Sequence, residues 1–93
     1  MVGVSLNPQG SVVFVLYSIH DVMKAEFALR EKGVSYEMIP VPKEISSDCG
    51  MAIMVPQDRR PEVQRILSEC SLEIKGSYLK TDNGYMEWKN DRD

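Results

Sequence analysis

The most chemically pointed group in the chain is the thiol of Cys49, set in the polar segment Ser46-Ser47-Asp48-Cys49-Gly50. A thiolate is both a nucleophile and a metal ligand, and it is favoured beside a cation or a helix N-terminus. His20, the single histidine, and Lys43 are the candidate cations; Asp48 works against them. Gly50 allows the backbone to approach a bound group closely. Ser46 and Ser47 offer hydroxyls and amides for a small anion nest, or they form a solvated turn. Cys49 also has a plainer reading as a small buried hydrophobe. Cys70 completes the spacing Val63, Ile66, Leu67, Cys70, so it reads as a packing residue, with a resolving role left open. Two cysteines without a C-x-x-C make no disulfide framework. Cys49, His20 and Cys70 follow no ligand-spacing motif, so neither a metal nor a cofactor is expected.

The 93 residues suit one domain, with 43% apolar and 27% charged side chains. A net charge of −3 with scattered basic residues gives no footprint for nucleic acid. The longest apolar run, Val12-Val13-Phe14-Val15-Leu16-Tyr17, is far too short for a membrane span. No basic stretch followed by a long apolar one opens the chain, so a cytoplasmic location is expected.

That same apolar run reads as a central strand buried on both faces. Ser18, followed three residues later by Asp21, resembles a capping box. A helix then runs to about Lys32, stopped by Gly33, with Val22, Ala25 and Leu29 on its buried stripe and Glu26 in a pairing role. Residues 35–41 alternate as an edge strand ending in Pro40 and Pro42. A third strand covers Gly50–Val55. Pro61 opens a second helix over Arg60–Cys70. Leu72–Leu79 forms a fourth strand interrupted at Gly76, and Asn83-Gly84 signals a hairpin into a fifth, Tyr85–Trp88. Residues 1–11 are a leader or an extra strand, 12–79 the domain, and 80–93 a hairpin or tail.

The order β-α-β-β-α-β predicts an α+β, ferredoxin-like two-layer sandwich with an antiparallel sheet and both helices on one face. The other face then needs cover from the terminal segments or from a second subunit, a homodimer through the sheet. In this topology the end of the first strand and the start of the third share one sheet edge. Tyr17, Ser18 and His20 are therefore expected near Cys49, with the unpaired amides of the first helix available to an anion.

The succession Ser18-Ile19-His20-Asp21, Ala25-Glu26, Gly33, Ile39-Pro40-Val41-Pro42 and Glu44-Ile45-Ser46-Ser47-Asp48-Cys49-Gly50 resembles the small bacterial selenium/sulfur carrier protein-like family. The resemblance covers about residues 12–79, and Pro42–Gly50 is its most specific part. It implies that Cys49 carries sulfur or selenium as a persulfide or perselenide, with His20 as thiolate partner and Ser18, Lys43, Ser46, Ser47 and Gly50 around the bound atom. It also implies donor and acceptor proteins as partners, and a carrier or binding protein rather than a stand-alone enzyme. Two alternatives stand beside it: a regulatory module binding a small ligand or a protein, and a thiol redox sensor in which Cys70 captures an oxidised Cys49. A hydrolase of the acylphosphatase type has no phosphate-loop motif behind it.

Overall fold

The computed structural model describes residues 10–43, 45, 50–81 and 84–87. It is an α+β structure with two helices and a five-stranded antiparallel sheet. The elements run β1 (Ser11–Leu16), α1 (Ile19–Glu31), β2 (Glu37–Pro40), β3 (Met51–Pro56), α2 (Arg60–Glu69), β4 (Ile74–Thr81) and β5 (Gly84–Glu87). The sheet order is β2-β3-β1-β4-β5, so β1 lies between β3 and β4. Of the leader-or-strand segment 1–11, residues 1–9 lie outside the described residues and Ser11 opens β1; the residues from Trp88 onward also lie outside them.

The β-branched and aromatic run of β1 belongs at the centre because both its faces are apolar. Val12, Phe14 and Leu16 meet Val22, Ala25 and Leu29 of α1 and Val63, Ile66 and Leu67 of α2. Both helices thus pack on one face of β1. Val13 and Val15 point the other way and pack with Ala52 and Ile45, flanked by Ile39, Val41, Met54, Tyr78 and Tyr85. The second face is therefore itself a packed apolar layer.

Both helices end alike. After α1, Gly33 adopts a left-handed φ of 73°; its N–H donates to Arg30 O and that of Val34 to Leu29 O. After α2, Ser71 takes the same conformation at φ 61°, with Ser71 N–H to Ser68 O and Leu72 N–H to Leu67 O. These are two Schellman motifs, each sealed by a buried apolar residue, Val34 or Leu72. Leu72, expected to open the fourth strand, serves this cap instead, and β4 starts at Ile74.

The interruption expected at Gly76 is a bulge. The β1–β4 register shifts between Val15 and Leu16, so Gly76 faces Val15 while Ile74 faces Leu16. The extra residue, Lys75, lets apolar Ile74 return to the helix-side core. A Cβ at Gly76 would come within 2.9 Å of the Tyr78 ring, which lies over it. At the hairpin, Gly84 pairs with Thr81, so it begins β5 rather than sitting within the turn. Pro56 ends β3, and a 3-10 turn, Gln57–Arg59, leads directly into α2.

A serine in the left-handed region carries a Cβ clash that glycine lacks. Ser71→Gly is expected to stabilise the protein by about 0.5–1 kcal/mol, since the strain relieved exceeds the extra chain entropy of glycine. Urea unfolding midpoints of the two proteins check this; an unchanged or lower midpoint would refute it.

Candidate functional site

The end of β1 and the start of β3 meet at one sheet edge. Ser11 pairs with Pro56 and Phe14 with Ile53. Continued, that register brings Leu16 level with Met51 and Tyr17 level with Gly50. Cys49 is bonded to Gly50 in the chain, but Cys49, Ser46 and Ser47 lie outside the described residues.

The loop carrying them is held at its base. The Val41 N–H donates to Gly50 O at 3.1 Å, and the Ile45 N–H donates to Pro42 O at 2.9 Å. The Ile45 side chain is 5% exposed and packs with Val13, Val15 and Ala52. One apolar side chain thus ties the middle of a polar loop to the sheet. Lys43 is exposed within the turn that Ile45 closes. Gly50 is exposed at φ 77°, and a Cβ there would touch nothing within 4 Å. Its glycine therefore answers a backbone conformation, which is reason enough for the residue without a closely bound group.

α1 starts at this same edge. Ser18 is its N-cap, extended at φ −149° and ψ 163°, and its hydroxyl accepts from the Asp21 N–H at 3.2 Å. The Val22 N–H reaches Ser18 O. The Ser18 hydroxyl is thus engaged in capping, which leaves the Ile19 and His20 amides as the forward-facing donors of the first turn. His20 itself is exposed. Asp21 also sits in that turn and competes with any anion for the helix dipole.

A further cation stands here that residue spacing did not indicate. Lys75, the extra residue of the bulge, places its Nζ 5.9 Å from the centroid of the Tyr17 ring, within cation–π range. The signal available in the sequence was Gly76, since an isolated glycine in a strand marks a bulge. Cys70, at the C-cap of α2, is a free thiol, half-buried against the helix-side core and beside Met23, Lys24, Phe27 and Ala28 of α1. Glu26 has the pairing role expected of it: it accepts from the Tyr36 hydroxyl at 3.0 Å and pairs with Arg30 at 3.4 Å. The Tyr36 hydroxyl first, and then Glu26, hold the Arg30 guanidinium above its ordinary pKa.

A family model described as "Putative Se/S carrier protein-like" matches residues 11–79. The chain belongs to this Se/S carrier protein-like family. The match spans β1 through most of β4 and includes Cys49, Cys70, His20 and Lys75. No curated protein and no solved structure matches the chain. Among the described residues, no three His, Cys, Asp or Glu side chains of this Se/S carrier-like chain gather as metal ligands, and no helix is long and apolar enough to cross a membrane.

Ile45 is the side chain on which the loop's attachment rests. Ile45→Ala is expected to cost about 2–4 kcal/mol, as for other buried aliphatic truncations. It should also speed hydrogen exchange at the Val41 and Ile45 amides. Unchanged exchange there would mean that Ile45 does not hold the loop base.

Proposed function

We propose that this protein carries sulfur or selenium on Cys49 as a persulfide or perselenide. The observation behind this reading is membership of the Se/S carrier protein-like family across a match that contains Cys49. In a sulfur cycle, the Cys49 thiolate attacks the terminal sulfur of a donor persulfide. A Cys49–S–SH bond forms, the donor S–S bond breaks, and its electron pair leaves with the donor thiolate. An acceptor nucleophile then attacks the outer sulfur and returns the Cys49 thiolate. Two electrons stay with the transferred sulfur's former partner at each step, so no external oxidant or reductant is needed.

The surrounding chemistry supports this role. α1, with the Ile19 and His20 amides in its first turn, starts directly after β1, and Lys75 stands over the ring of Tyr17 between them. Such groups favour a thiolate or persulfide anion over its neutral form. Lys43, Ser46, Ser47 and Gly50 are the loop positions proposed to border the carried atom, and Ser18 contributes by fixing the helix start. We read the scaffold as a ferredoxin-like unit, β1-α1-β2-β3-α2-β4, extended by β5 beyond β4. Donor and acceptor are taken to be proteins, because handing over one atom needs a docking surface more than a deep substrate cavity.

Incubation with a cysteine desulfurase and cysteine, followed by intact mass spectrometry, tests the proposal. A gain of one sulfur is expected in the wild type and in Cys70→Ser, and is expected to be lost in Cys49→Ser. Failure to gain sulfur at a Cys49 that alkylates readily would overturn it, as would an adduct that survives in Cys49→Ser. A rapid peroxide-dependent Cys49–Cys70 disulfide without any sulfur adduct would assign the redox-sensor role instead.

A further inference from the structure

α1 buries Val22, Ala25 and Leu29 and leaves Met23 and Phe27, one turn apart, 58% and 60% exposed. Beside them runs a groove of about 470 Å³ lined by Met23, Lys24, Phe27, Ala28 and Cys70. Two large apolar side chains at i and i+4 on a surface helix make a ridge of the kind that packs against another helix. On the sheet, where a second copy was expected to dock, Val13, Val15 and Ala52 are already buried within the single chain. Among the described residues, three of the five exposed large hydrophobics, Ile19, Met23 and Phe27, stand on α1.

The charges beside the ridge select the occupant. Lys24 and Glu31 are exposed, two turns apart on the same side of α1, and neither has an ion-pair partner among the described residues. In an antiparallel pair of identical helices, a two-fold axis midway between these residues sets Lys24 of each copy level with Glu31 of the other. That axis passes between Phe27 and Ala28. The same register therefore brings Phe27 of one copy over Ala28 of the other, into the hole bounded by Lys24, Phe27, Ala28 and Glu31. This is the four-residue hole that a helix offers a knob. Lys24 and Glu31 form two corners of that hole, so a single axis serves both the charge pairing and the packing of Phe27.

We infer that the protein forms an isologous homodimer through antiparallel α1 helices, with Phe27 as the central knob and reciprocal Lys24–Glu31 pairs at either end. Met23 of each copy lies one turn outside the aromatic pair, over the aliphatic stem of Arg30 of the other. The interface is independent of the carrier chemistry. It uses the middle of α1, on the helix layer rather than on the sheet.

Sedimentation equilibrium of the full chain tests this inference. A dimer is expected, weakened by added salt. Phe27→Glu is expected to raise the dissociation constant at least about a hundredfold, while far-UV circular dichroism and the melting temperature of the monomer stay as in wild type. Lys24→Glu and Glu31→Lys should each raise it roughly tenfold, and the double reversal should restore most of the loss. A wild type that stays monomeric at millimolar concentration would overturn the proposal. So would a dimer that tolerates Phe27→Glu, or a double reversal no better than the single changes.

Discussion

Everything in this fold depends on β1 being buried on both faces. Val12, Val13, Phe14, Val15 and Leu16 are all essentially without solvent contact. A strand in that state cannot sit at an edge, where its polar backbone would meet water on one side, so it must pair on both sides. β3 and β4 supply those pairings, and the helices and Ile45 supply the two apolar layers. Slippage by one residue would exchange the two layers, placing Val13 and Val15 against the helices. Its two-sided burial is thus also what fixes register, and register is what carries the end of β1 toward the start of β3.

The bulge in β4 is the adjustment that lets this work at the end of β1. Straight pairing would have set Lys75 opposite Leu16, on the helix-side face. The inserted residue gives that place to Ile74 and sends the ammonium toward Tyr17. One backbone irregularity therefore completes the core and brings a positive charge to the edge where β1 ends and α1 begins. Gly76 makes room for the Tyr78 ring beside it.

Much of this was legible in the residues. The β1 run, the α1 stripe, the Ser18 cap and the Gly33 stop each carry a local signature, and each is found where its chemistry puts it. The start of β4 was not legible. Leu72 looks like a strand residue by composition, but it is consumed by the α2 cap, and Ser71 gives no glycine signal for the left-handed turn. The candidate site divides in the same way. Cys49 and His20 announce themselves by type, whereas Lys75 acquires its position only from a register shift between two strands. Burial of Val13, Val15 and Ala52 on the second sheet face was also beyond reach, because it draws on Ile45 turning inward from the middle of a polar connection.

The closed base of the loop between β2 and β3 has a consequence for how this chain can change over generations. Once Val41 and Gly50 are hydrogen-bonded and Ile45 is docked, the sheet is indifferent to how much chain lies between those anchors. Loop closure entropy grows only slowly with length, by about 0.6 kcal/mol for each doubling. Insertions and exchanges between the anchors are therefore cheap, while substitutions at the anchors are not. Selection can vary the segment between the anchors without reopening the question of how the domain folds.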